Sequence, residues 1–284
     1  VVRRHASPEF HNHVILLTDG HTYGDEELAI AEARRAAADG IGISAVGIGS
    51  DWNDLFLDEL AQCGHGICDY VRSPSHLRTI LHEQVKGLST ISLQDAQLYV
   101  NHAAYVELES AARVAPYIEE LEIQNSSLIS LANLGDETNT LLLELLVHQP
   151  SIGEYRLVRL TLEAISTARR EPTRVRQDVV VNFVKEALKP LDEDVPMRLL
   201  STLSRLAVFR LQERAWEAFE GGDSRRATTL LESAATRLFD MGHRELARAA
   251  MLEARRVSQG GTPSSQGRKD VRYGTRSLSL TARG

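Results

Sequence analysis

Two hydrophobic rhythms divide the chain. From Val14 to Leu17 four apolar residues run without a break into Thr18-Asp19-Gly20. An unbroken run this short reads as a strand buried on both faces, the pattern of a parallel sheet with helices on either side. The stretch after Gly20 alternates helix and strand as such a sheet requires. A helix from about Asp25 to Asp39 puts Ala29, Ile30, Ala33, Ala36 and Ala37 on one face, and Gly40 ends it. Ile43–Ile48 is the next strand. Phe56, Leu57, Leu60 and Ala61 form the inner face of a short helix, and Ile67–Val71 is the third strand. Ser73 and Pro74 supply an N-cap and a first-turn proline for a closing helix built on Leu77, Ile80, Leu81, Val85 and Leu88.

From Thr90 the period becomes two. Ile91 and Leu93 alternate with polar residues, as do Val106 and Leu108, then Leu121 and Ile123; longer apolar runs come at 141–147, 157–165 and 179–184. Strands spaced by Pro116, Gly135-Asp136, Pro150–Gly153 and Pro172 predict an antiparallel β-sandwich. Pro190–Pro196 reads as a linker. Helical stripes come next: Leu200, Leu203, Ala207 and Leu211; then Ala227, Leu230, Leu231, Ala234 and Leu238; then Ala247, Ala250 and Ala254. Breaks at Gly221-Gly222 and Gly242 make hairpins of them, reminiscent of tetratricopeptide-type pairs. Residues 259–284 are rich in Gly, Ser, Arg and Thr and predict a flexible tail. The expected units are 1–88 (α/β), 89–188 (all β), 189–258 (α) and 259–284 (tail).

Composition changes this picture in one respect. The 284 residues carry a net charge of −7, but residues 1–196 hold 16 basic and 30 acidic side chains, and residues 197–284 hold 16 basic and 9 acidic. The basic C-terminal part, nearly all Arg, reads as a solvated helical surface. The other reading is docking on something acidic, this protein's own body included. The arginines are spread at helical spacing without interleaved aromatics, which argues against nucleic acid. No apolar run approaches the ~20 residues of a bilayer span. The chain begins Val-Val-Arg-Arg, without Met or a signal-like core, and reads as part of a longer protein.

Candidate chemistry is sparse. Asp19 stands at the carboxyl end of the first strand, where parallel sheets place their ligands; its other reading is a turn cap. Cys63-Gly64-His65-Gly66-Ile67-Cys68 invites a metal, yet reads better as a helix stop and then a small core residue. His11 and His13 read as surface histidines. Gly47 and Gly49 are half of a dinucleotide fingerprint whose remainder is absent.

The pieces Ile15–Gly20, Gly24-Asp25, Val46–Gly49, Ala61–Gly64, Asp69–Val71 and Ser73-Pro74, in this order, resemble the second half of a von Willebrand factor A (vWA) domain. Leu134–Glu137 and Gly153–Leu157 are similar to the β-rich module that comes after that domain in many bacterial proteins. The resemblance implies a truncated doubly wound, Rossmann-like sheet whose three strands are its last consecutive positions. It further implies a metal-ion-dependent adhesion site made by three loops: Asp-x-Ser-x-Ser, a Thr, and a third loop matched here by Asp19, with Thr18 and Gly20 bracing it. The first two loops have no counterpart in this sequence.

The function implied is protein interaction, adhesion or adaptor-like, rather than catalysis. Mg²⁺ (or Mn²⁺ or Ca²⁺) would be held in the complete protein and a partner's carboxylate would complete its shell. Tight binding to this chain by itself is not expected. Strand 14–18, lacking its neighbour, is expected to self-associate, and the expected location is the cytoplasm rather than outside the cell. The alternatives are a metal-dependent hydrolase or phosphotransferase using Ser50 and Asp51, and a structural adaptor without metal.

Overall fold

The computed structural model describes residues 2–6, 11–21, 24–148, 151–185 and 196–278. The first unit contains β1 (Asn12–Thr18), α1 (Glu26–Ala38), β2 (Ile41–Ile48), α2 (Asp54–Cys63), β3 (His65–Val71) and α3 (Leu77–Ser89). Its strands lie parallel in the order β1-β2-β3, with Asn12 opposite Ile41 and Ala45 opposite Cys68. β2 is therefore central and its Ala45 and Val46 are fully buried. β1 pairs only with β2 among the described residues, so its apolar run is not covered on both sides. Leu16 and Leu17 remain 37% and 41% exposed.

Two glycines explain how tightly this unit closes. A Cβ on Gly47 would stand 2.1 Å from Cε2 of Trp52, so the indole lies directly on the β2 backbone. Gly66 approaches the backbone of Ile43 so closely that a Cβ there would sit 2.1 Å from the carbonyl oxygen. Gly47 and Gly66 are thus places where an indole and a backbone carbonyl come too close for a side chain.

The second unit is the expected sandwich. One sheet has the order β11-β10-β4-β8-β7 and the other β6-β5-β9, all antiparallel. The strands of the larger sheet are β4 (Ile91–His102), β7 (Ile123–Gln124), β8 (Leu128–Gly135), β10 (Gly153–Ser166) and β11 (Pro172–Phe183). Those of the smaller are β5 (Val106–Ala115), β6 (Glu119–Glu120) and β9 (Thr140–Val147). Val100, Val106, Ile129 and Val158 form the core between them.

The far side of the smaller sheet meets the helices α4 (Met197–Glu220), α5 (Ser224–Asp240) and α6 (Arg244–Ser258). Ala112, Val114 and Ile118 there join Leu206, Phe209, Trp216, Leu231 and Leu238 in one continuous core. Asp223 caps α5 by accepting from the backbone N–H of Arg226 at 2.9 Å. The expected linker lies outside the described residues except Pro196.

The tail expectation fails. Ser265–Arg276 is a helix, α7, with Val271 and Thr275 wholly buried. Ser264 caps it, accepting from the N–H of Gly267 at 3.0 Å, and the Glu253 carboxylate of α6 accepts from both the N–H and the hydroxyl of Ser264, each at 2.7 Å. Few of its residues are apolar; beside the buried Val271 and Tyr273 it makes ion pairs to α2 and α4. The surface reading of His13 also fails. Its ring packs on Gly42, and Nε2 lies 2.9 Å from Ser44 Oγ. Burial, helped by the nearby His11, lowers its pKa to about 4.

Candidate functional site

The carboxyl ends of the three strands make one rim. Thr18, Asp19 and Gly20 close β1. The Thr18 hydroxyl and the Gly20 N–H are 3.3 Å apart and tighten the turn. Asp19 is exposed and makes no hydrogen bond or ion pair among the described residues. From the same loop, Nε2 of His21 reaches Oδ1 of Asp51 in the loop after β2 at 3.4 Å. Next to Asp51, Trp52 donates from Nε1 to the Gly49 carbonyl at 2.8 Å, and Asn53 caps α2 by accepting from the Phe56 N–H at 3.2 Å.

Helix α7 crosses this rim, and sequence reasoning missed it. Lys269 is almost fully buried, yet its ammonium donates to the carbonyls of Ser50 at 2.7 Å and Trp52 at 2.8 Å and to the Ser265 hydroxyl at 2.8 Å. It also lies 4.6 Å from the centre of the Trp52 ring. Burial lowers its pKa, with Asp54 opposing. Ser265 donates to the Ser50 carbonyl, so the rim segment offered for a hydrolase is committed through its backbone to α7.

Below Lys269 runs a ladder of opposite charges at four-residue steps. Arg268 lies 3.3 Å from Asp54. Arg272 reaches Asp54 at 3.1 Å, Asp58 at 3.3 Å and Glu213 of α4 at 3.1 Å. Arg276 is bidentate to Asp58, at 2.8 and 3.2 Å. Burial works against the charge on Arg272, but Glu213, Asp58 and Asp54 overcome it and its pKa is raised. The aromatic wall beside the ladder is Trp52, Tyr70 and Tyr273, with ring centres 5.7 to 6.1 Å apart. Cys68 points into it, its Sγ 3.3 Å from the Tyr273 hydroxyl, and burial raises its pKa well above the ordinary thiol value. Cys68 is thus a core residue.

Between the rim and the helices is a cavity of about 300 Å³, lined among others by His21, Trp52, Asp54, Phe219 and Pro263. Among the described residues no three His, Cys, Asp or Glu side chains gather as a metal site would need. Asp19 and the Thr18 hydroxyl are hard oxygen donors of the right kind, but these residues by themselves do not make a site for Mg²⁺.

Residues 1–70 match the von Willebrand factor type A domain family, and residues 197–281 match the Sll0103-like, C-terminal alpha-helical domain. Over residues 1–70 the chain is thus similar to a von Willebrand factor A domain. The second match runs past α6 and takes in α7, in line with the packing of α7 on α4 and α6. Protein sll0103 of Synechocystis sp. (strain ATCC 27184 / PCC 6803 / Kazusa) is 24% identical over 269 residues, which cover 92% of this chain and 64% of that protein. This chain therefore spans less than two thirds of the relative's length. Among solved structures, a von Willebrand factor type A protein from Catenulispora acidiphila is similar with a TM-score of 0.74 and 18% identity, covering 95% of this chain and 66% of that one. The ArnB paralog VWA2 from Sulfolobus acidocaldarius is similar at 0.51 and 15%, covering 98% and 67%. At these identities the likeness is one of fold. With nearly the whole chain covered, it takes in the β-sandwich and the helices as well as the vWA sheet. Among the described residues no helix is long and apolar enough to cross a membrane.

Proposed function

We propose that this chain is an interaction module, not a catalyst, and that a protein ligand docks at the carboxyl rim of the vWA sheet with Asp19 facing it. The observation that carries this is Asp19 itself: an exposed carboxylate at a strand end of a vWA unit, with no partner among the described residues. In the complete protein Asp19 would contribute one oxygen to a divalent cation, the rest coming from residues this chain does not supply. The second reading, an adaptor that needs no metal, is favoured by the lack of a gathered ligand set among the described residues. The β-sandwich and the helices would then hold the rim in place.

A photo-crosslinking residue placed at position 19, compared with one at the exposed Arg248 of α6, tests the reading in cells. Protein adducts specific to position 19 are expected. Adducts that a chelator abolishes favour the metal-bridged form, and adducts that survive it favour the adaptor. Equal capture at 19 and 248, or none at 19, would overturn the docking site.

A further inference from the structure

β11 ends the larger sheet. It pairs with β10 along its length and with no other strand among the described residues. Its outer N–H and C=O groups therefore form a free edge of twelve residues. The two faces of this strand differ. On the core side stand Val175, Gln177, Val179 and Val181, in register with Leu162, Leu160, Val158 and Tyr155. The smaller sheet has three strands against five. Val175 and Val181 are 61% and 36% exposed although they face inward, whereas Val179 packs against the core.

The outer side is cationic. Arg174 and Arg176 share it with Arg159 and Arg156 of β10, and Arg169 and Arg170 sit at the hairpin turn. The carboxylates on that face are already engaged. Asp178 accepts from Arg159 at 2.7 and 2.9 Å, and Glu163 is ion-paired with Arg174 at 3.0 Å. Arg176 has no ion pair among the described residues. This surplus lies in the part of the chain that is otherwise acidic.

A free edge, exposed Val175 and Val181 on one side and the unpaired Arg176 on the other define one occupant. We propose that β11 is a docking edge for an extended segment of a partner protein with carboxylates at alternate positions and aliphatic residues between them. Main-chain hydrogen bonds would extend the sheet by one strand. Alternate side chains would then fall on the two faces, a carboxylate over Arg176 beside the paired Arg174 and aliphatics over Val175 and Val181. A second copy of this chain fits less well, since it would bring the same arginines with their carboxylates already engaged. The proposal concerns the β-sandwich and does not depend on the rim reading.

The test uses the full chain and a fluorescein-labelled peptide of six Glu-Val repeats, monitored by anisotropy. Saturable binding is expected, weakened at least tenfold by Arg176→Glu, by N-methylation of alternate peptide nitrogens and by replacing every Glu with Lys. Arg248→Glu should leave it unchanged. Circular dichroism checks that Arg176→Glu is folded. No saturable binding up to millimolar peptide, or binding indifferent to N-methylation and to Arg176→Glu, would overturn the proposal. So would a dimer in light scattering that Arg176→Glu dissociates, because the edge would then belong to a second copy.

Discussion

Asp58 tests whether charge, rather than apolar burial, fixes α7 across the rim. Its carboxylate holds Arg276 through two hydrogen bonds and touches Arg272 at 3.3 Å, and its side chain is 13% exposed against 20% for Arg276. In Asp58→Ala, Arg272 keeps Asp54 and Glu213, but Arg276 loses its carboxylate and keeps the Cys68 carbonyl at 3.4 Å and the face of Tyr273. Removing one partner of a buried pair costs about 3–5 kcal/mol, because the other charge is left desolvated. The residual contacts place this case near the low end, about 3 kcal/mol, or roughly a hundredfold in an opening equilibrium at 1.4 kcal/mol per factor of ten. Hydrogen exchange at the amides of Lys269–Arg276 reads that opening directly. The control is Arg72→Ala, which breaks a pair to Asp270 whose arginine is 67% exposed; a change under about 1 kcal/mol is expected there. Replacing Asp58 and Arg276 together by Leu and Met should recover much of the loss. If Asp58→Ala and Arg72→Ala change the protection of α7 equally, the ladder is not what holds the helix.

Three further outcomes are expected. His13 resists protonation in the folded chain down to about pH 4 but takes a proton near its ordinary 6.5 when unfolded. Protons therefore favour unfolding, and stability should fall by up to about 3 kcal/mol from pH 6.5 to 4 in denaturant titrations, a slope that His13→Gln flattens. Gly47→Ala drives a methyl into Trp52, 2.1 Å from Cε2, and should cost about 2–3 kcal/mol in the same titrations; an unchanged midpoint would mean the indole moves freely. Leu16 and Leu17 on the open side of β1 should make the chain self-associate in light scattering at high concentration, and Leu17→Lys should reduce it; a monodisperse parent chain would argue that something covers that edge.

Much of the fold was legible because it is built on apolar period. The unbroken Val14–Leu17 run, the mostly apolar Ile43–Ile48 stretch and the alternation from Thr90 translate directly into parallel and antiparallel strands. The position of Asp19 at the end of β1 was legible too, since a strand end needs only the strand to be placed. What period could not show was the burial of His13: a histidine at the start of an apolar run reads as its polar boundary. The signal was the facing Gly42, whose missing side chain makes room for the ring.

Helix α7 was misread for a different reason. Hydrophobic periodicity looks for helices that bury an apolar stripe, and Ser265–Arg276 has little beyond Val271 and Tyr273 to offer. The pattern that mattered was in the charges. Arg268, Arg272 and Arg276 recur every four residues, so they form one row on a helix, and Asp54 and Asp58 have the same spacing on α2. Two rows of equal pitch and opposite sign can interdigitate, and each arginine of the ladder meets an aspartate. Such a match is invisible to any window along the chain, because its halves are more than 200 residues apart. The consequence reaches the rim. With Lys269 bonded to the carbonyls of Ser50 and Trp52, the loop that faces Asp19 through His21 is anchored by the helical domain. A ligand docking at Asp19, as proposed, would therefore meet a surface made by two modules, and loosening α7 should change that surface without touching Asp19.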